Sequence, residues 1–204
     1  MNHPAHYARR GRVASELSGK AKSTIAILGK VLDRGEKALV FTQYRRMGDL
    51  LVTMFRKELN ETAFFYHGGL SRKERDKTIT AFRDRIGRAI MVIQLKAGGT
   101  GINLDSANHA IHYDMWWNPA VEDQGSDRAF RIGQKKNVTV YRLITKGTLE
   151  ERINELLKSK RVVSEMVLEG RKEIRSIAKY SDKQLEELIR LRAQSRPARQ
   201  NETI

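Results

Sequence analysis

Arg128 and Arg131 stand three residues apart within DQGSDRAFRIGQ, residues 123–134. On a helix, or in its last turn, that spacing puts both guanidinium groups on one face, where they can reach a single anion together. A planar guanidinium fork matches the non-bridging oxygens of a phosphoryl group in transfer, and an arginine so placed contributes roughly 10³–10⁵ in rate. The same spacing also suits a solvated helix face, so the pair takes chemical meaning only from its surroundings.

Those surroundings alternate strands with helices. Ala21, Ile25, Leu28 and Leu32 share one face of a helix predicted over 20–34, with Gly35 at its C-terminal cap. A strand follows at 37–41. Met47, Leu50, Leu51, Met54 and Phe55 then predict an amphipathic helix over 45–59, and TAFFY (62–66) the next strand. After the turn His67-Gly68-Gly69, Ser71 and Glu74 form a capping box that opens a helix turning Ile79 and Phe82 inward. Strands are expected at 89–94, 109–113 and 138–144, with a glycine-rich loop at 96–101 and a short helix over 120–130.

This order implies a doubly wound α/β lobe, a parallel sheet with helices on both faces. From Thr148, with Glu151 as the far half of another capping box, the pattern turns helical. Ile153, Leu156, Leu157, Lys160, Val163 and Val167 make one stripe, and Ser181 caps a last helix carrying Leu185, Leu188 and Ile189. These helices cannot bury their apolar stripes alone and are expected to brace the lobe or a partner. The divisions read as a lead-in segment, 1–19, a main lobe, 20–147, a helical brace, 148–195, and a polar tail, 196–204.

The chain's 204 residues suit one sizeable α/β core with an appendage. Its 39 Lys and Arg against 24 Asp and Glu give a formal net charge of +15, which favours a polyanionic partner such as nucleic acid. Cysteine is absent and the five histidines lack ligand spacing, which excludes disulfides and thiolate metal sites and leaves no metal site to expect. No apolar run reaches the roughly 18 residues of a bilayer span, so no membrane partner is expected.

Four segments in order resemble the second, C-terminal ATPase lobe of the Swi/Snf family, a branch of helicase superfamily two. KALVFTQY (37–44) resembles motif IV, and FYHGGLSRKERD (65–76) the DNA-contacting segment after it. VIQLKAGGTGINLDSANHAIHYDMWWNP (92–119) resembles motif V with its extension, and DQGSDRAFRIGQ resembles motif VI. The resemblance covers nearly the whole chain and implies a RecA-like lobe. The family often has Ser where Gln94 stands, Arg at Met115, Ala-Thr or Ala-Glu at Gly125-Ser126, and His at Phe130; both arginines are kept.

The resemblance implies a role for each matched residue. Arg128 and Arg131 would be arginine fingers toward the γ-phosphate of ATP, with Gln124 in the same nucleotide-facing motif. Gly99 and Gly101 would let the motif V backbone approach the nucleotide. His67, Gly68 and Arg72 would sit at a DNA phosphate, aided by the N-terminus of the helix that Ser71 caps. Lys96 would contact the sugar-phosphate backbone and Trp117 the DNA groove, with Trp116 in the core. A tucked loop histidine is an equal reading of His67.

No GxxxxGK[ST] loop and no DEAH-like strand end occurs in the sequence. In the family those parts, which hold ATP and Mg²⁺, belong to an N-terminal RecA-like lobe. NHPAHY at the start resembles the family's CNHPA segment, so the chain is expected to begin near the junction of the lobes and not to turn over ATP alone. The implied function is ATP-dependent translocation on double-stranded DNA, with a DNA-bound protein or RNA polymerase as the open target. Two alternatives stand beside it: a nucleic-acid-binding module with no nucleotide role, and a lobe of an RNA-directed or polymerase-recycling motor. DRAFRIGQ points to a prokaryotic member, with a nucleoid-associated cytoplasmic location; a eukaryotic one would be nuclear.

Overall fold

The computed structural model describes residues 3–8, 12–94, 104–115 and 137–155. The chain divides into two compact units, Met1–Ile144 and Thr145–Ile204. In the first, a short helix α1 (Pro4–Tyr7) and a 3-10 turn (Ser15–Leu17) precede α2 (Gly19–Asp33), β1 (Lys37–Thr42), α3 (Arg45–Glu58) and β2 (Phe64–Tyr66). Then come α4 (Arg72–Asp84), β3 (Ala89–Gln94), β4 (His109–His112) and β5 (Thr139–Arg142). The five strands form one parallel sheet in the order β2-β3-β1-β4-β5.

β1 lies at the centre, pairing Val40 with Val92 of β3 on one side and Ile111 of β4 on the other. Every residue of β1 is buried, as befits a strand covered on both faces. Ala38 and Val40 face a core built with α2 and α3; Leu39 and Phe41 face a second core that includes Phe82 of α4. This is the RecA-like α/β arrangement expected from the sequence.

The helix ends follow from local chemistry. Beyond Arg34 at the end of α2, Gly35 adopts φ +70°. Its N–H donates to the Leu32 carbonyl at 2.9 Å and that of Glu36 to Val31 at 3.1 Å, closing the helix with a Schellman motif. Asn60, at φ 50°, turns the chain after α3. The apolar stripe of α3 is fully buried at Met47, Leu51, Met54 and Phe55, each side chain contributing about 1.5–3 kcal/mol before entropy is charged against it. Gly48 lets that helix lie close to β2, since a Cβ there would come within 2.3 Å of the Phe65 ring.

α4 is anchored more lightly, by Phe82 packed edge-on against Phe64 with ring centres 5.8 Å apart. The Lys37 ammonium closes its far end, donating to the carbonyls of Phe82 and Arg83, both at 2.9 Å. Burial lowers the pKa of this amine. Nearby, Glu61, only 3% exposed, receives Arg85 at 2.8 Å and Arg88 at 3.1 Å, pinning the turn from α4 into β3.

Three details differ from the sequence expectations. The second strand shortens from 62–66 to Phe64–Tyr66, and the last from 138–144 to Thr139–Arg142, because pairing with β3 and with β4 reaches no further. In the second unit residues 149–155 are helical with Ile153 buried, but the capping box is offset by one position. Thr148 accepts the N–H of Glu150 at 3.3 Å, and the Glu151 carboxylate takes that of Gly147 at 2.7 Å. The expected helix over 120–130 and the stripe beyond Glu155 lie outside the described residues. Among those described, no helix is long and apolar enough to cross a membrane.

Candidate nucleic-acid interface at the carboxyl edge of the sheet

A parallel doubly wound sheet offers ligands the crevice beyond the carboxyl ends of its strands. Here that edge is formed by Thr42, Tyr66, Gln94 and His112 and the loops that follow them. The loop after β2 carries His67 and Gly68, and Arg72 opens the helix that follows it, three of the residues singled out in the sequence.

His67 is tucked in, 9% exposed, with its ring 4.6 Å from that of Phe65. Its Nδ1 accepts the Gly69 N–H at 3.1 Å, which places the proton of the neutral ring on Nε2. Burial lowers its pKa, and the nearby Arg45 and Arg75 guanidinium groups lower it further against the opposing pull of Asp49 and Glu74.

Gly68 is exposed, but its N–H donates to Gln94 Oε1 at 3.3 Å. Arg75 ties down the rest of the loop, donating from Nε to the Leu70 carbonyl and from Nη2 to the Gly68 carbonyl, both at 2.9 Å. The guanidinium also lies 5.9 Å from the Tyr66 ring centre.

Arg72 is exposed in the first turn of α4, beside exposed Lys73. The foreseen capping box is complete: Ser71 Oγ accepts the Glu74 N–H at 3.3 Å, and the Glu74 carboxylate takes the Ser71 N–H at 2.8 Å. The Ser71 hydroxyl, donating to that carboxylate at 2.7 Å, and with it the Ser71 N–H hold the Glu74 carboxyl below its ordinary pKa. Arg45, exposed at the start of α3, reaches over the loop, so that a Cβ on Gly69 would meet its Nη1 at 2.2 Å. The result is a prebuilt loop with a cationic rim of Arg45, Arg72 and Lys73.

Neighbouring strand ends are laced together. Asp114, buried after β4, accepts the Gln43 N–H at 2.9 Å and the Thr42 hydroxyl. The Gln43 side chain donates to the Met115 carbonyl at 2.8 Å, and Gln94 Nε2 donates to the Gln43 carbonyl at 3.4 Å. The lead-in segment docks at the same edge: Arg46 donates to the Ala5 carbonyl at 3.0 Å, and the His6 ring lies 5.0 Å from that of Tyr44. Burial raises the Tyr44 pKa with help from Asp114, and lowers that of His6 despite Asp114.

Arg128, Arg131, Gln124, Gly99, Gly101, Lys96 and Trp117 lie outside the described residues. Sequence reasoning passed over Arg45, Arg75, Gln43 and Asp114. Arg75 had a local signal, four residues after the Ser71 cap and so one turn along α4. The Asp114 contacts join positions more than seventy residues apart and left no such trace.

The conserved profile of the helicase C-terminal domain matches residues 20–133. The chain is 39% identical over 194 residues to YwqA of Bacillus subtilis (strain 168), covering 94% of this chain and 21% of that protein. A solved C-terminal domain of a SWI2/SNF2 ATPase from Sulfolobus solfataricus superposes with a TM-score of 0.72 at 38% identity, over 93% of this chain and 76% of that one. The Sulfolobus solfataricus SWI2/SNF2 ATPase core in complex with dsDNA gives 0.73 at 39% identity, over 93% and 39%. The chain thus spans about a fifth of its curated relative's length, and with the helicase profile over residues 20–133 and a RecA-like parallel sheet it belongs to the SWI2/SNF2 family of helicase superfamily two, as a C-terminal lobe.

Proposed function

We propose that this lobe works in an ATP-dependent translocase that moves along double-stranded DNA and remodels DNA-protein complexes. The observation that carries the reading is the cationic rim of Arg45, Arg72 and Lys73 around an internally braced loop at the carboxyl edge of the sheet. In that loop a neutral His67 keeps an Nε2 proton that can be donated to a phosphate oxygen, and Arg72 adds charge beside the first amides of α4. Such contacts fix position on a duplex without choosing sequence. The net charge of +15 and the duplex held by the Sulfolobus solfataricus relative support the same reading.

Lys96 and Trp117 extend this surface in the proposal, while Gly99, Gly101 and Gln124 face the nucleotide. Arg128 and Arg131 reach from this lobe, residues 20–147, to ATP held with Mg²⁺ by the N-terminal lobe of the same polypeptide. Positive charge brought to the transferring phosphoryl oxygens stabilises the transition state, and opening of the cleft withdraws it. In this reading residues 1–19 lead in from the junction, 148–195 form a helical brace for the lobe or its partner, and 196–204 a polar tail. Among the described residues no cluster of His, Cys, Asp or Glu is arranged to hold a metal ion.

The test is steady-state ATP turnover by the full-length enzyme with duplex DNA, duplex RNA or neither. Stimulation by duplex DNA alone is expected. Stimulation by RNA, or turnover indifferent to both, would reject the assignment, and duplex binding with no ATP turnover would favour a plain nucleic-acid-binding module.

A further inference from the structure

We infer that Gln94 is a positioning residue for duplex DNA, a side chain that sets the contact loop after β2 in place without touching the duplex itself. The inference rests on the proposed DNA-translocating function and names a residue which that function does not require. In the sheet β3 lies between β2 and β1, so a side chain at its last position can reach the loops on both sides. Gln94 does so. Its Oε1 accepts the Gly68 N–H at 3.3 Å while its Nε2 donates to the Gln43 carbonyl at 3.4 Å.

Both ends of the amide are used in their only productive sense, since an N–H requires the oxygen and a carbonyl requires the nitrogen. Gln43 is itself anchored: its N–H donates to Asp114 at 2.9 Å and its side chain to Met115 at 2.8 Å. The loop is therefore referenced, through one amide, to a fixed point just beyond the end of the central strand. On its other side His67 holds the Gly69 N–H and Arg75 holds the Gly68 and Leu70 carbonyls. Loss of the Gln94 bond releases the glycine where backbone freedom is greatest, and the loop must then be ordered at the expense of binding.

Gln94→Met keeps the volume and removes both hydrogen bonds. Gln94→Ser, two bonds shorter and about 2.5 Å less in reach, removes them without crowding should the Met variant fold poorly. The experiment titrates duplex DNA into the full-length enzyme and reads ATP turnover. Each variant is expected to need roughly 3- to 10-fold more DNA for half-maximal stimulation, the loss of bonds of this kind, with unchanged DNA-free turnover and unchanged KM for ATP. A half-stimulating concentration equal to the parent's would overturn the role of Gln94 alone. So would a parallel loss of DNA-free turnover in both variants, which marks a folding role. A parent that duplex DNA does not stimulate would overturn the underlying function and this inference with it.

Discussion

Gly48→Ala should destabilise the chain even though alanine is the better helix former. Gly48 is buried inside α3, and a Cβ there would meet Phe65 Cζ at 2.3 Å and Cε2 at 2.5 Å. Carbon atoms settle at about 3.5–4.0 Å, so ring and helix must part by roughly 1–1.5 Å. Overpacking of that kind costs about 1–3 kcal/mol, while the helix gains roughly 1 kcal/mol from losing a glycine. The net is a loss of up to about 2 kcal/mol, or up to roughly 8 °C in Tm for a chain of this size. Gly29 of α2 supplies the internal control, because its Cβ would meet nothing within 4 Å. Gly29→Ala should therefore stabilise by up to about 1 kcal/mol. Urea and thermal denaturation of both variants check the pair. A Gly48→Ala chain that gains stability as Gly29→Ala does would refute the claim that α3 and β2 are packed to the limit of a glycine. Because the Phe65 ring also lies 4.6 Å from His67, the same substitution should disturb the contact loop, visible as changed His67 chemical shifts.

Two further outcomes follow from the charged groups. Glu61→Gln leaves Arg85 and Arg88 facing a neutral amide; both are about half exposed and can rehydrate, so the loss should be nearer 1–2 than the 3–5 kcal/mol of a fully buried pair. Denaturation midpoints within error of the parent would remove Glu61 from the stabilising set. His67 is held below its ordinary pKa, so below about pH 6.5 the unfolded chain takes up a proton that the fold resists, and stability falls as pH drops through that window. His6 is shifted the same way and contributes alongside it. His67→Asn keeps an acceptor for the Gly69 N–H and should shrink the stability difference between about pH 7.5 and 5.5; an undiminished difference would acquit His67.

The architecture was legible because its signals are local and periodic. The α3 stripe, the glycine that ends α2 and the Ser71–Glu74 box each announce themselves within one or two turns, and each sits where it was expected. The helix Pro4–Tyr7 and the turn Ser15–Leu17 did not, since three or four residues are too few to show a period. The site was legible in its residue types and hidden in its bonding. Position 94 drew notice only as a departure from the usual Ser, and its partners at 43 and 68 are joined to it by sheet order alone. His67 had two readings of equal weight, and burial against Phe65 supplies the geometry that composition lacked.

The most direct test of the central claim replaces the two arginines of DQGSDRAFRIGQ one at a time in the full-length enzyme. DNA-stimulated ATP turnover and duplex affinity are then measured at one fixed salt concentration. The account predicts that Arg131→Ala and Arg128→Ala each lower stimulated turnover by roughly 10³-fold or more, with duplex affinity within a few-fold of the parent's. Turnover that stays near the parent's in either variant would contradict it.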